Sequence, residues 1–345
     1  MNLIKILWGT ARTGEPVYRY HLSNSHGMSV DLCNIGCSIL RLLVPDKYGT
    51  PTDVSLGYQT LTEYEHNSSN FGCIVGRYGN RIRKGQFSFH GKSYQLETND
   101  RGNHLHGASD GFAYRFWTCT DEADDHVTFR LESPDGDGGY PGDLTAEVTY
   151  HLSEDNALTL SYHAETKTAA FCNLTNHNYF NLSGAGNDTV LDHEVMISSD
   201  SYTETEPDSI PTGRILPVDG TPLDFRKPKP IGQDIHASWD PLIWAGGYDH
   251  NFVLTPGIQP AASVYAPKTG IFMEVLTTSP GMQFYTGNGL NDPNRKDGKS
   301  YMRFGGFCME TQFYPDSINH PEFPSCELTA GHPQESQTTY RFSCR

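Results

Sequence analysis

Residues 148–162 read VTYHLSEDNALTLSY, in which apolar side chains recur at every second position on both sides of the polar turn Ser153–Asn156. Successive side chains of a β-strand point to opposite faces, so this period of two predicts a β-hairpin with one buried face. A second hairpin is predicted at residues 87–96, where Gly91 supplies the turn between two shorter alternating runs. Hairpins of this kind indicate a chain built from antiparallel strands.

The rest of the chain strengthens the prediction of an all-β fold. Further strands are predicted at residues 127–131, 271–276 and 282–285. One short helix is predicted at residues 60–67, with Thr60 or Thr62 as its cap. The 34 Gly and 21 Pro residues exceed the usual share of turn-forming residues. Because no repeat or linker-like change of composition divides the chain, we expect one domain over residues 1–345, an antiparallel sandwich or barrel.

Charge and hydropathy exclude several classes of partner. The chain has 25 Lys and Arg against 41 Asp and Glu, a formal net charge of −16. Nucleic-acid affinity rests on basic contacts to phosphate, so neither a nucleic acid nor an anionic membrane surface is an expected partner. No stretch approaches the roughly 20 apolar residues of a membrane-spanning helix. The apolar run Met1–Thr10 is broken by Lys5 and no cleavage site follows it, so we expect a cytoplasmic location.

Cysteine and polar-residue patterns give the candidate sites. The eight cysteines form no C-x-x-C pair, so we expect small buried hydrophobes rather than disulfides or a zinc site. Five segments combine ionisable side chains with turn residues, the setting in which β scaffolds usually carry sites. These segments are Gly76–Ile82, Asn103–Gly107, Thr175–Asn181, Gly247–Phe252 and Cys308–Gln312.

Histidines in two of these segments are candidates for metal binding or proton transfer. His104 and His106 would share one face of a strand, a spacing that permits a metal pair, but no further ligand is identifiable, so no metal is expected. Gly107 has no side chain and would let a ligand approach His106. His177 lies among amide side chains and is either a hydrogen-bonded structural histidine or a group tuned for proton transfer near pH 7.

Two carboxylates and an arginine complete the candidates. Asp249 and Glu310 are interpreted as a carboxylate pair, as a base with a hydroxyl-orienting group, or as two surface charges. The adjacent Asn80 and Arg81 offer an amide and a guanidinium, a combination suited to hydroxyl groups. No nucleophilic triad, P-loop or dinucleotide fingerprint is present, so phosphate and nicotinamide chemistry are not supported.

Taken together and in order, the five segments resemble the aldose 1-epimerase (galactose mutarotase) family. Four more stretches carry the resemblance: Asp137–Gly142, Thr221–Arg226, Gln283–Asn288 and Pro315–Pro321. The resemblance implies a large antiparallel β-supersandwich with few short helices, a small-molecule aldose as partner and no cofactor. It implies that Glu310 is the general base and His177 the general acid. It also implies that sugar hydroxyls or the anomeric centre contact Asn80, Arg81, His106, Asp249 and Gln283, and it does not extend to His104.

The implied reaction agrees with these residue types. Exchange of anomers requires removal of a proton from the C1 hydroxyl and donation of one to the ring oxygen, which a carboxylate base and an imidazolium acid can perform. Both groups should then have pKa values within a few units of neutrality. Two alternatives stay open: a glycoside hydrolase that uses Asp249 and Glu310 as its carboxylate pair, and a non-catalytic sugar-binding sandwich. A monomer or weak homodimer is expected.

Overall fold

A computed structural model describes residues 1–345 and contains two short helices and 29 strands. The helices are α1 (Leu61–His66) and α2 (Asp240–Ala245). The strands are β1 (Asn2–Thr10), β2 (Pro16–Ser23), β3 (Ser29–Cys33), β4 (Ser38–Pro45), β5 (Pro51–Asp53), β6 (Ile74–Val75), β7 (Arg81–Ile82), β8 (Gln86–Phe89), β9 (Lys92–Gln95), β10 (His104–Leu105), β11 (Thr118–Ala123), β12 (His126–Ser133), β13 (Leu144–Leu152), β14 (Ala157–Glu165), β15 (Ala169–Phe171), β16 (Thr175–Asn176), β17 (Glu194–Ile197), β18 (Ser201–Thr205), β19 (Pro211–Pro217), β20 (Lys229–Pro230), β21 (Asp249–Val253), β22 (Ala262–Tyr265), β23 (Ile271–Thr277), β24 (Gly281–Tyr285), β25 (Asn291–Asp292), β26 (Tyr301–Met302), β27 (Cys308–Gln312), β28 (Glu327–Thr329) and β29 (Gln334–Cys344).

The hairpin predicted from residues 148–162 is confirmed as β13 and β14. Tyr150 pairs with Leu160, and the apolar side chains of both strands are buried. The hairpin lies within a nine-stranded antiparallel sheet with the order β11-β12-β13-β14-β29-β23-β22-β17-β20. Strand β29 therefore lies between β14 and β23, although it follows both in the chain. The hairpin predicted at residues 87–96 is confirmed as β8 and β9.

Two five-stranded sheets pack against the same core as the nine-stranded sheet. Their strand orders are β1-β2-β3-β4-β5 and β19-β18-β21-β24-β27. One cluster of 57 buried residues takes side chains from all three sheets, such as Leu22, Val148 and Phe284. The expected all-β, antiparallel fold is thus confirmed. No helix has the length and apolar character that crossing a membrane requires.

Local details also follow the sequence. Helix α1 begins after Thr60, whose hydroxyl accepts from the Glu63 N–H while the Glu63 side chain bonds the Thr60 backbone, a capping box. All eight cysteines are free and six of them are buried, which confirms the expectation of small apolar residues for those six.

The sheet that contains β21, β24 and β27 places three predicted site residues side by side. In its register Asn251 pairs with Gln283, which pairs in turn with Glu310 on β27. Asp249 lies two residues before Asn251 on β21, and side chains two residues apart share a face of a strand. Strand pairing therefore brings Asp249, Gln283 and Glu310 to one face of one sheet.

Gly107 is required by a close backbone approach rather than by a ligand. It has a φ of +83°, and a Cβ at this position would lie 2.2 Å from the carbonyl oxygen of Gly76. The expectation that Gly107 makes room for a ligand is therefore wrong. The backbone of Gly76 fills the space beside Gly107, and this contact holds the Gly76 segment beside Asn80 and Arg81.

We expect Gly107→Ala to lower the free energy of unfolding by more than about 2 kcal/mol, since it adds a backbone clash to the cost of a left-handed alanine. Urea denaturation measures the change. Gly91→Ala is the matched control, because Gly91 has a φ of +76° but nothing within 4 Å of its Cβ position. Equal losses in the two variants would show that the clash at Gly107 is relieved without cost.

Candidate functional site

A cavity of about 260 Å³ opens beside the ends of β7, β10, β16, β21 and β27. Six of the seven predicted site residues line it: Asn80, Arg81, His106, His177, Asp249 and Glu310. They come from all five polar segments singled out in the sequence. The fold thus gathers into one cavity residues that are up to 230 positions apart in the chain (310 minus 80).

Glu310 and His177 form a buried pair in the floor of this cavity. Their side chains are 3% and 6% exposed, and His177 Nε2 lies 3.7 Å from Glu310 Oε2. Glu310 Oε2 has no hydrogen-bond partner within the protein. A buried carboxylate oxygen without a partner is costly, so it is available to a ligand that can donate a hydrogen bond.

Burial sets the protonation of this pair. Loss of water contact raises the pKa of Glu310 well above its usual value, and the nearby Asp249 raises it further while Arg81 opposes the shift. Burial lowers the pKa of His177 to about 4. Burial therefore favours a protonated Glu310 with a neutral His177. The imidazolium expected at His177 stays a prediction, and it requires the proton to pass from Glu310 to His177, against the direction that burial favours.

Asp249 is held between a cation and an amide. Arg81 Nη1 lies 3.8 Å from Asp249 Oδ2, and Gln283 Nε2 donates a hydrogen bond of 2.7 Å to Asp249 Oδ1. Arg81 is fixed in turn by Asp100, whose Oδ2 accepts from Arg81 Nε at 2.8 Å. The arrangement leaves a guanidinium and a carboxylate side by side at the cavity wall, a pair suited to binding neighbouring hydroxyl groups.

Gln283 lies between Asp249 and Gln312, on the same face of the sheet as Asp249 and Glu310. It is 3% exposed and is absent from the lining residues; besides its bond to Asp249, its Oε1 accepts from Gln312 Nε2 at 3.4 Å. The expected contact of Gln283 with a sugar stays a prediction, and its bond to Asp249 indicates a positioning role in addition. Its place on β24, between β21 and β27, brings its amide to Asp249.

His106 has a fixed tautomer. The Asn80 N–H donates to His106 Nδ1 at 3.1 Å, and burial lowers the pKa of this imidazole well below its ordinary value. A neutral ring that accepts at Nδ1 carries its proton on Nε2. His106 is therefore a hydrogen-bond donor at Nε2.

The predicted shared face of His104 and His106 is wrong. Strand β10 ends at Leu105, and His106 has a φ of +57°, which turns its side chain out of the strand's alternation. His104 instead bonds the Glu97 carbonyl at 2.6 Å and the Tyr140 hydroxyl at 2.5 Å, a structural role.

Three potential metal ligands approach one another in the cavity. One ligand atom each from His106, His177 and Glu310 lies within 4.8 Å of the others. Imidazole and carboxylate groups suit zinc, but a ligating His106 Nε2 would have to give up its proton. Protonation at Nδ1 instead would set that nitrogen against the Asn80 N–H. The donor set therefore does not fit a metal centre.

Several lining residues were missed by the sequence analysis. Tyr179 and Tyr285 belong to recognised stretches but carry no distinctive signal as cavity residues. Ser68, Ser69, Asn70, Gly289 and Leu290 line the cavity from two loops, and we call this group the neutral rim. Loop residues without periodicity or charge resemble any surface turn, so no pattern could have identified them.

Comparisons with known proteins show the family to which the chain belongs. The family model described as aldose 1-epimerase matches residues 18–341. Galactose mutarotase from Rattus norvegicus is 40% identical over 346 residues, which cover 99% of each chain. Aldose 1-epimerase from Escherichia coli (strain K12) is 36% identical over 337 residues, 96% of this chain and 97% of that protein. The crystal structure of an aldose epimerase homologue from C. elegans superposes with a TM-score of 0.87 at 30% identity, covering 94% of this chain and 98% of that one. This chain belongs to the aldose 1-epimerase family.

Proposed function

We propose that the protein is an aldose 1-epimerase, which interconverts the α and β anomers of a hexose such as D-galactose or D-glucose. The observation that carries the proposal is the buried pair of Glu310 and His177, 3.7 Å apart, in a cavity whose other polar groups suit hydroxyls. The relatives' names support the same activity. A volume of about 260 Å³ is below the roughly 300–1,000 Å³ of pockets for drug-sized ligands, which supports a single sugar ring as substrate.

Ring opening and closure require Glu310 and His177 to hold one proton between them. In the active form Glu310 is ionised and His177 carries the proton. Glu310 removes the proton of the C1 hydroxyl as His177 Nε2 protonates the ring oxygen, and the C1–ring oxygen bond breaks to give the aldehyde. The pair is then a carboxylic acid and a neutral imidazole, the state that burial favours. Rotation about C1–C2 and the reverse transfers close the ring as the other anomer.

The remaining cavity residues hold the sugar and its developing charge. Arg81, Asp249 and Asn80 supply donors and acceptors for ring hydroxyls, and Gln283 keeps Asp249 oriented. The Nε2–H of His106 can donate to an oxygen on which negative charge builds. Every step is a proton transfer, the cleavage or re-formation of the C1–ring oxygen bond, or a bond rotation, so the proposed reaction needs neither a metal nor an organic cofactor.

The contacts of Asp249 disfavour a glycoside hydrolase. Such enzymes need a second carboxyl group that acts as nucleophile or base across the scissile bond. Here Asp249 is bound to Gln283 and lies beside Arg81, which suits a fixed hydroxyl acceptor. A non-catalytic sugar-binding protein would have no need to bury an unpartnered Glu310 beside a histidine.

Polarimetry of freshly dissolved α-D-galactose and α-D-glucose tests the proposal. We expect the protein to accelerate the drift to the equilibrium rotation far beyond the spontaneous rate. A parallel assay with nitrophenyl galactoside and glucoside tests hydrolysis. No acceleration with either sugar would contradict the proposal, and release of nitrophenol would favour the hydrolase.

We propose a simple cellular setting for this activity. The shared core supports action of residues 1–345 as one domain. The net charge of −16 supports the absence of nucleic-acid and membrane partners. With a small aldose as its only ligand, the protein is proposed to work in the cytoplasm as a monomer or weak homodimer.

A further inference from the structure

We propose that Asn70, on the neutral rim, binds one of the sugar's hydroxyl groups other than the anomeric one and thereby selects among aldoses. The inference rests on the proposed function and adds a specificity-determining residue to it. In the proposed reaction Glu310 contacts the anomeric hydroxyl, so the group that Asn70 binds must be another hydroxyl of the same sugar.

The side-chain amide of Asn70 is free to bind a ligand. Asn70 lines the cavity, and its carboxamide makes no hydrogen bond within the protein. Its rim neighbour Ser69 is already engaged, since the Ser69 hydroxyl donates to Asp292 Oδ2 at 2.9 Å. Ser68 is exposed to solvent, and Gly289 and Leu290 have no polar side-chain atoms. Asn70 is therefore the one rim residue with an unengaged, partly shielded donor and acceptor.

The backbone around Asn70 is fixed, which a selective contact requires. Asn70 has a φ of +56°, a left-handed conformation in which asparagine is tolerated better than most residues. Its N–H donates to the Asn67 carbonyl at 2.9 Å, and the Asn67 side chain accepts from the Phe71 N–H at 2.8 Å. Asn67 itself is buried and ends helix α1.

A second network joins the two loops of the rim. Asp292, which binds Ser69, also accepts from Arg295 Nε at 3.1 Å. Arg295 Nη1 reaches back to Glu63 of α1 at 2.9 Å. The Ser69 N–H donates to the Tyr58 hydroxyl at 3.1 Å. The rim is thus preformed, so an amide on it can discriminate by position instead of adapting to each sugar.

Asn70→Gly tests the proposal without straining the loop. Glycine accepts a positive φ at least as well as asparagine, so the variant removes the amide and keeps the turn. Asn294→Gly is the matched control, because Asn294 is exposed, has a φ of +54° and lies outside the cavity. Thermal unfolding of both variants checks that the fold is retained.

The measurement is kcat/KM for mutarotation of D-glucose, its 2-deoxy, 3-deoxy and 6-deoxy forms, and its C4 epimer D-galactose. We expect Asn70→Gly to lower kcat/KM about tenfold for D-glucose or D-galactose, the effect of one neutral hydrogen bond. The loss should fall below threefold for the one analogue that lacks or inverts the contacted hydroxyl, and Asn294→Gly should change no value.

Two results would overturn the inference. If Asn70→Gly lowers kcat/KM for all five sugars by factors within threefold of one another, or for none of them, Asn70 selects no hydroxyl while the epimerase activity itself stands. If the unaltered protein accelerates none of the sugars, the proposed function and this inference fail together. If Asn70 binds one hydroxyl, the loss of kcat/KM in Asn70→Gly must differ between sugars that carry that hydroxyl and the sugar that does not.

Discussion

Glu310→Gln removes the carboxylate proposed to take the C1 proton, and we expect kcat for mutarotation to fall by at least about 10³-fold. Loss of a positioned general base typically costs 10²–10⁴-fold, and an amide cannot accept the proton in its place. The side chain is 3% exposed and β27 is paired along its length, so the isosteric change keeps the fold. Polarimetry with D-galactose measures the loss, and Glu335→Gln, an exposed change on β29, serves as the control.

The same variant should be more stable than the unaltered protein at high pH. Because the folded-state pKa of Glu310 is raised, its contribution to stability is present at low pH and is lost as the pH rises through that raised value. Glutamine carries no proton to lose. We therefore expect a melting temperature for Glu310→Gln that is higher by roughly 2 °C or more at pH 8, with a smaller difference at pH 4. Near-normal turnover, or a difference that shrinks as pH rises, would contradict the role given to Glu310.

His177→Asn is expected to lower kcat about 10²- to 10³-fold and to change KM little. In the proposed reaction, the proton that His177 gives to the ring oxygen is moved in the transition state, so its loss appears in kcat. Asparagine keeps a polar side chain of similar reach but cannot transfer a proton. Initial rates over a range of D-galactose concentrations separate the two constants. A rise in KM alone would make His177 a binding residue.

The pH profile of His177→Asn provides a second readout with a definite sign. In the unaltered protein the pair must hold one proton, so kcat/KM falls below a pH of about 4, where His177 also becomes protonated, and again above the raised pKa of Glu310. Without His177, Glu310 acts only as a base and must be ionised. The residual kcat/KM should therefore increase as the pH rises through the pKa of Glu310. A residual rate that falls over that range would contradict the shared proton.

The strands were predictable because apolar and polar residues alternate along them with a period of two, which can be read directly from the sequence. Residues 148–162 and 87–96 became hairpins, and Thr60 became the cap of α1. The six cavity residues were predictable because they belong to segments that resemble one family in order. Periodicity describes neighbouring residues, and the resemblance describes the order of segments. Neither shows which distant segments touch in the folded protein.

The contacts that the sequence did not predict join distant segments. The bond from Gln283 to Asp249 depends on the pairing of β24 with β21, which no local pattern contains. Gly107 is conspicuous as a glycine, whereas the Gly76 carbonyl that requires it lies 31 positions earlier (107 minus 76). The protonation state of His177 depends on how many groups cover the ring, which no spacing in the sequence reveals.

The place of β29 between β14 and β23 has a consequence for how the protein folds during synthesis. Until β29 leaves the ribosome, the nine-stranded sheet exists as two halves, each with an unpaired edge strand. Unpaired edges are templates for association with other chains, and pairings between distant parts of a chain form slowly. The growing chain is thus most prone to aggregate after β23 has been made but before β29, Gln334–Cys344, follows. Chaperone demand should peak in that short interval of translation.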